Sequence, residues 1–172
     1  GSSQDVLSRY YFAAKKYNAD IIIRITSDCP LIDPKIIDKY IKKFLEKKID
    51  YLSNTCPIKG ATYSDGMDVE VFSKEALETA YNECKNNSQR EHVTHFFWKN
   101  PKRFKIQRLD LKKNMRHFRL TLDYKSDFKL LKKIIVFFNK KQISLNYKNI
   151  IKFLSKNKKL NEINEKHNLD IK

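Results

Sequence analysis

Apolar residues first recur at helical spacing. Val6, Leu7, Tyr10 and Ala14 fall on one face of residues 5–17, which predicts an amphipathic helix. The pattern then changes to the β-branched run Asp20-Ile21-Ile22-Ile23-Arg24-Ile25-Thr26, which reads as a buried parallel strand. The run ends in Ser27-Asp28-Cys29-Pro30. Asp33 is then placed to cap a helix and Pro34 to begin it, with Ile36, Ile37, Tyr40, Ile41 and Phe44 on its apolar side. A short strand at residues 50–53 leads into a loop with Pro57, Gly60 and Gly66. Asp68-Val69-Glu70-Val71-Phe72 alternates like a strand, and Ser73 caps a helix through Tyr81. Ser88-Gln89-Arg90-Glu91 has the S-x-x-E spacing of a capping box and predicts a helix through Trp98. Strands are predicted near residues 104–109 and 118–122. A long helix capped by Ser126 follows through Asn139, and a last one covers residues 147–154.

Strands alternate with helices, which predicts the α/β class: an open, mostly parallel sheet with helices on both faces. The 172 residues suit one domain over residues 1–156, with 157–172 as a polar, loosely packed tail. A hydrophobic fraction of 41% and an aromatic fraction of 12% exclude a disordered chain. The longest apolar run, at residues 134–138, is flanked by lysines and far too short to span a membrane. No secretory signal opens the chain, and Gly1-Ser2-Ser3-Gln4, without an initiator methionine, reads as the start of a fragment. Cys29, Cys56 and Cys84 form no CxxC pair and are odd in number, which argues against a disulfide framework or zinc site and for a reducing cytoplasm. The net charge of +16 invites a nucleic-acid reading, but the lysines spread along the whole chain, so neither nucleic acid nor a membrane is expected as partner.

In open α/β sheets ligands bind beyond the carboxyl ends of strands. Asp28 follows the isoleucine-rich strand, and Asp123 follows Arg119-Leu120-Thr121-Leu122. Two carboxylates at a sheet edge suit Mg2+, a hard ion that keeps its remaining positions for water and substrate phosphates. Each aspartate also suits a simpler role, capping a turn or a following helix.

Several segments resemble one family in its own order. Arg24-Ile25-Thr26-Ser27-Asp28-Cys29-Pro30-Leu31-Ile32-Asp33-Pro34 is similar to the R-I-T-G-D-C-P-L-I-D-P signature of cytidylyltransferases. Ser64-Asp65-Gly66-Met67-Asp68-Val69-Glu70-Val71-Phe72-Ser73 resembles P-D-G-L-D-V-E-V-F-S. Gln89-Arg90-Glu91-His92-Val93-Thr94 resembles E-R-E-H-V-T, and Arg119-Leu120-Thr121-Leu122-Asp123-Tyr124 resembles R-x-T-V-D-Y. The likeness is nearest to the spore-coat-polysaccharide branch of the family, with acylneuraminate and CMP-KDO synthetases more distant.

The resemblance implies a nucleotide-diphospho-sugar transferase fold and a Mg2+-dependent transfer of CMP from CTP to a sugar or sugar acid, with pyrophosphate released. By motif position, Asp28 and Asp123 become the catalytic metal ligands. Asp65, Asp68 and Glu70 line the sugar side, Arg90 and His92 meet an anionic group on the substrate, and Arg24 is a candidate for cofactor binding. Relatives are often dimers, which admits a homodimer without fixing the oligomeric state. Simpler readings stand beside these. Asp68 and Glu70 suit a water-facing strand, Glu91 a capping box with Ser88, and His92 an ordinary helix histidine. Arg24 suits a structural ion pair, and Asp127 the positive end of a helix dipole.

Family members begin with a strand and a basic, glycine-containing loop that cradles the triphosphate. The glycines here are Gly1, Gly60 and Gly66, so the first nucleotide-binding unit is expected to be missing and the 172-residue chain inactive by itself. Ser27 for Gly, Ser64 for Pro and His95 for Pro are smaller departures. The competing readings are a related nucleotidyl- or glycosyltransferase using another nucleotide, and a non-catalytic basic binding module.

Overall fold

The computed structural model describes residues 4–171, with side chains through 168; Gly1, Ser2 and Ser3 lie outside them. Helix α1 (Val6–Tyr17) starts where Asp5 accepts a hydrogen bond from the Ser8 N–H at 3.1 Å, which satisfies one donor left open at a helix N-terminus. It stops at Asn18, which takes the left-handed conformation. Asp33 caps α2 (Pro34–Leu45) through the Lys35 N–H at 2.9 Å, and Ile36, Tyr40 and Phe44, one turn apart, are buried. Ser73 caps α3 (Lys74–Glu83) through the Ala76 N–H at 3.1 Å.

Two expected helix starts are corrected. Helix α4 (Asn87–Glu91) is capped by Asn86, which accepts from the Gln89 N–H at 3.1 Å, so Ser88 lies inside the helix and not at its cap. The helix does not reach Trp98. Val93, at a φ of 54°, and Thr94 are buried and interrupt it, and α5 (His95–Lys99) is a separate element. In α6 (Lys125–Lys141) the N-terminal donors are satisfied by Asp127, not Ser126. Asp127 reaches back to the N–H groups of Asp123 at 3.1 Å and Tyr124 at 2.9 Å. Helix α7 (Tyr147–Lys156) is capped by Asn146 and buries Ile150 and Leu154.

The sheet contains β1 (Ile21–Arg24), β2 (Tyr51–Ser53), β3 (Glu70–Ser73) and β4 (Ile106–Arg108) in the order β1-β3-β2-β4. The α/β class and the single open sheet are as expected. Strands β1, β2 and β4 run in one direction, while β3 lies antiparallel to both β1 and β2, with Ile23 opposite Val71 and Leu52 opposite Val71. The cause is the connection. A loop without a helix joins β2 to β3, whereas a parallel neighbour requires a crossover. All of β2 is buried, as are Glu70, Val71 and Phe72; since successive residues face opposite sides, both faces of the sheet centre are covered.

Residues 118–122 do not form the expected strand. Arg119 makes an isolated parallel bridge with Asp65. The Leu120 N–H donates to the Asp65 carbonyl at 2.8 Å and the Leu122 N–H to the Asp28 carbonyl at 2.9 Å. The segment is extended, but its neighbours are loops, so no ladder continues.

The chain divides into two compact units, in place of one domain and a loose tail. The first comprises the chain through Arg24, Lys39–Ser53 and Glu70–Leu109 and holds the whole sheet; the second comprises Ile25–Asp38, Asn54–Val69 and the chain from Asp110 onward. The end of the second unit is ordered into α8 (Lys158–Asn161) and a 3-10 helix (Glu165–Ile171), with Asn164 buried between them. Among the described residues no helix is long and apolar enough to cross a membrane.

Gly66 is held at φ +89°, and a Cβ there would lie 2.3 Å from the Leu120 carbonyl carbon and the Thr121 nitrogen. Both the backbone conformation and the space demand glycine. Gly66→Ala is expected to cost more than about 3 kcal/mol in urea unfolding, since backbone atoms cannot yield as a side-chain tip can. A loss under about 1 kcal/mol would show that the two segments are not in contact.

Candidate functional site

The second unit gathers four of the residues singled out from sequence. On leaving β1 the chain turns at Thr26–Cys29, where the Cys29 N–H donates to the Thr26 carbonyl at 3.2 Å. This places Asp28 against the 121–122 backbone. Its carbonyl accepts from the Leu122 N–H and, at 3.2 Å, from the Thr121 hydroxyl. Asp123 follows one residue later, so two aspartates distant in sequence lie on neighbouring stretches of backbone. The Asp28 carboxylate is half-buried. Its contacts among the described residues are long ones, to the Thr121 hydroxyl at 3.4 Å and the Cys29 thiol at 3.7 Å.

The same thiol lies 3.6 Å from Asp68, whose carboxylate also accepts the Gly66 N–H at 3.1 Å. Burial, and then the charge of Asp68, push the Cys29 thiol up to about 12. It stays protonated at neutral pH and is neither a nucleophile nor a thiolate ligand.

Arg119, buried to 5% exposure, is the hub. Its Nη1 donates to Asp65 at 2.8 Å, its Nη2 to Asp123, and its Nε to Asp127 at 3.1 Å. Asp127 is fully buried and also accepts from Asn164 at 2.8 Å. Burial opposes its charge, but the bonds from Arg119, Asn164 and two backbone N–H groups outweigh it and hold its carboxyl below the usual range. Asp65 goes the other way. Burial and then Asp68 raise it to about 6, against the pull of Arg116 and Arg119. Asp65, Asp123 and Asp127 thus surround a single hub guanidinium, while Asp28 and Asp68 meet at the Cys29 thiol.

The remaining candidates lie in the first unit, and all but His92 are committed to protein partners. The Glu70 carboxylate is 2% exposed. It accepts from Arg24, from the Tyr51 hydroxyl and, at 2.7 Å, from the Thr94 hydroxyl. Glu70 therefore neither faces water nor keeps a free oxygen for a sugar. Arg24 is its structural counter-ion and not a free cofactor ligand. Arg90 spends four of its five N–H donors on protein, two on Asp5 at 3.1 and 2.9 Å and two on the carbonyls of Tyr81 and Cys84, so no pair of donors is left for the expected substrate clamp. His92 is exposed at the end of α4, its ring 4.4 Å from that of His95. Burial, with His92 and Lys99, pushes His95 down to about 4, so it is neutral at neutral pH.

The sequence reading passed over Arg119, Thr121 and Asn164. A signal for the first was present: Asp123 and Asp127 lie four and eight residues after Arg119, on one side of a turning chain. Asn164 carried none, because it lies in a polar stretch without motif or periodicity.

Comparisons with known proteins point one way. The family described as Cytidylyltransferase matches residues 1–167. An uncharacterized protein of Methanocaldococcus jannaschii, MJ1063, is 39% identical over 166 residues, covering 95% of this chain and 65% of that protein. The spore coat polysaccharide biosynthesis protein SpsF of Bacillus subtilis is 28% identical over 137 residues, covering 77% of this chain and 54% of that one. A solved cytidylyltransferase structure from Leptospira borgpetersenii serovar Hardjo-bovis superposes with a TM-score of 0.85 at 35% identity, over 93% of this chain and 66% of that one. The chain spans under two thirds of the length of the curated relatives it matches.

Two outcomes follow from the charge arrangement. Arg119→Met strands the buried Asp127 carboxylate and should cost about 3–5 kcal/mol in urea unfolding. A cost below about 1 kcal/mol would remove Arg119 as the hub. Asp65, raised above its unfolded value, binds more protons when folded between about pH 4 and 6, so its contribution to stability falls as pH rises through that window. Wild type should lose stability relative to Asp65→Asn between pH 4 and 6 and run parallel to it above pH 7. A gain over that window would mean that the Arg119 pair outweighs burial.

Proposed function

Because the chain belongs to the cytidylyltransferase family, we propose that it acts as a nucleotidyltransferase moving CMP from CTP to a hydroxyl of a sugar or sugar acid. The sugar oxygen attacks the α-phosphorus, the new oxygen–phosphorus bond forms as the bond to the bridging oxygen breaks, and pyrophosphate leaves. In this reading the product feeds surface-polysaccharide synthesis, in line with the printed name of the Bacillus subtilis relative, and the protein works in the cytoplasm as a homodimer.

Asp28 supports this reading most directly. A half-buried carboxylate with only long hydrogen bonds is costly unless something else completes it. Asp28 is nonetheless held by backbone bonds beside the segment that leads to Asp123.

The donors fit Mg2+. Both are hard oxygens, and Arg119 holds Asp123 through Oδ2, leaving Oδ1 without a hydrogen bond among the described residues. Those residues contain no cluster of three or more His, Cys, Asp or Glu able to hold a metal, and Mg2+ is ordinarily held by one or two carboxylates with substrate phosphates. The bound ion would neutralise charge on the phosphates and favour in-line displacement. Thr121 and the Leu122 N–H keep the Asp28 loop in place, Arg119 orients Asp123, and Asp65 and Asp68 accept hydrogen bonds from acceptor hydroxyls.

The test is pyrophosphate release by the product of the complete reading frame, with CTP, UTP or GTP and a panel of sugars, with and without Mg2+. CTP should be preferred and Mg2+ required. Asp28→Asn and Asp123→Asn should each lower kcat/KM at least about 100-fold with little change in melting temperature. Variants that both keep more than half the wild-type activity would end this reading.

A further inference from the structure

The end of the chain closes on the charged centre of the second unit. Among the described residues after Lys156, Asn164 is the buried polar side chain, at 2% exposure. Its amide nitrogen donates twice, to the Asp127 carboxylate at 2.8 Å and to the Arg119 backbone carbonyl at 3.1 Å. An amide nitrogen carries two hydrogens, so both bonds form at once. Two neighbours add to the closure. The His167 ring stacks on Tyr124, with centroids 3.8 Å apart and planes 7° apart, and the Asn168 side chain donates to the His117 carbonyl at 3.0 Å. Asp123 lies between Arg119 and Tyr124 in sequence, so the segment that carries it is gripped on both sides.

The bonds form a chain that ends at Asp123. Arg119 presents Nε and Nη2 to the two oxygens of Asp127, at 3.1 and 3.2 Å, and this fork fixes the plane of its guanidinium. The same Nη2 donates to Asp123 Oδ2. The Asp123 side chain is 46% exposed, so this bond, and not packing, decides which way its carboxylate faces. The fork works only while Asp127 holds still. Its Oδ2 accepts the N–H groups of Asp123 and Tyr124, and its Oδ1 accepts Asn164. Asn164 thus fixes Arg119 at both ends, its main chain directly and its guanidinium through Asp127.

We propose that Asn164 is a positioning residue for the transfer reaction: it holds Arg119 so that Asp123 keeps Oδ1 available to Mg2+. The proposal rests on the transferase reading and extends it to a part of the chain that carries none of the family motifs. Groups behind a metal ligand set its direction, and their loss ordinarily costs about 10- to 100-fold in metal affinity or activity. Without Asn164, Asp127 Oδ1 keeps Arg119 Nε alone and the Arg119 carbonyl loses a side-chain donor. The guanidinium is then free to tilt, and Asp123 follows it. Burying an amide in a polar stretch is costly unless its donors are used, and here both are spent on this one arginine and its partner. His167 acts on the same segment from the far side of Asp123, through the Tyr124 ring.

The experiment compares wild type, Asn164→Ala, Asn164→Ser and His167→Ala, each as the product of the complete reading frame. Ile150→Val, a buried position in α7 of the same unit, is the control for lost stability alone. Mn2+ stands in for Mg2+ and is titrated by electron paramagnetic resonance with α,β-methylene-CTP, which is not turned over. Asn164→Ala should weaken Mn2+ binding at least about tenfold and raise the Mg2+ concentration for half-maximal pyrophosphate release by a similar factor. Saturating Mg2+ should restore its kcat to within about threefold, with KM for the acceptor sugar within about twofold of wild type. Asn164→Ser keeps one donor and should recover part of the loss. His167→Ala should weaken Mn2+ binding about threefold at a melting temperature near that of wild type. Ile150→Val should lower the melting temperature and leave Mn2+ binding unchanged, the pattern Asn164→Ala would share if its role were structural only. Unchanged Mn2+ binding by Asn164→Ala overturns the proposal and leaves the transferase reading standing. Should Asn164→Ala fail to fold, Asn164→Ser and His167→Ala decide: weaker binding by both supports the proposal, and wild-type binding by both overturns it. No Mn2+ binding by wild type ends the proposal, and the transferase reading falls with it only if CTP is not turned over either.

Discussion

The second unit depends on one buried guanidinium. Arg119 neutralises the fully buried Asp127, pairs with Asp65 on a loop far away in sequence, and holds Asp123 at the mouth of the same cluster. Each contact alone would be an ordinary ion pair. Together they tie the 64–68 loop, the extended 118–122 segment and the start of α6 around one charge, and Asn164 brings the end of the chain to the same point through Asp127. Breaking such a centre leaves buried charge without compensation, so it is replaced as a whole or not at all. Gly66 follows from this constraint, since a loop drawn so close to Leu120 has no room for a side chain.

The same physics separates structural charge from chemical charge. Glu70 and Asp127 are buried and satisfied on every side, and they serve the fold. Asp28 is half-buried and weakly satisfied, Asp65 is raised towards neutral pH, and Asp123 keeps one oxygen free of hydrogen bonds among the described residues. These groups retain unused capacity for a ligand. Motif membership does not make this distinction. Glu70 and Asp65 belong to one motif, and Arg90 and Arg119 to two others, yet their surroundings give them different work. Several family positions are thus closed by protein partners, and a smaller set is not.

Local pattern was most legible where local physics decides. The spacing of Ile36, Tyr40 and Phe44 marked a helix face, and Asp33 and Ser73 marked helix starts, because a side-chain oxygen two or three residues before an N–H needs nothing else to form its bond. The isoleucine run marked β1 for the same kind of reason. The box at Ser88 to Glu91 misled because Asn86 offered an equally good oxygen earlier, and because burial of Val93 and Thr94 broke the helix that periodicity extended to Trp98. The antiparallel setting of β3 and the loss of the 118–122 strand were invisible, since both depend on which segments lie alongside.

From its order of residues alone, this protein's class, the places of its main elements and its family resemblance could be read. All of these rest on short-range patterns or on motifs that stay intact in one dimension. Folding alone decided that Arg90 and Glu70 are already partnered, that Arg119 is the centre, that the chain forms two units, and that Asn164 reaches Asp127 from the end of the chain. Partnership between ionic groups depends on distances of a few ångströms between residues dozens of positions apart, and on how far water is excluded around them. Neither quantity exists until the chain has folded.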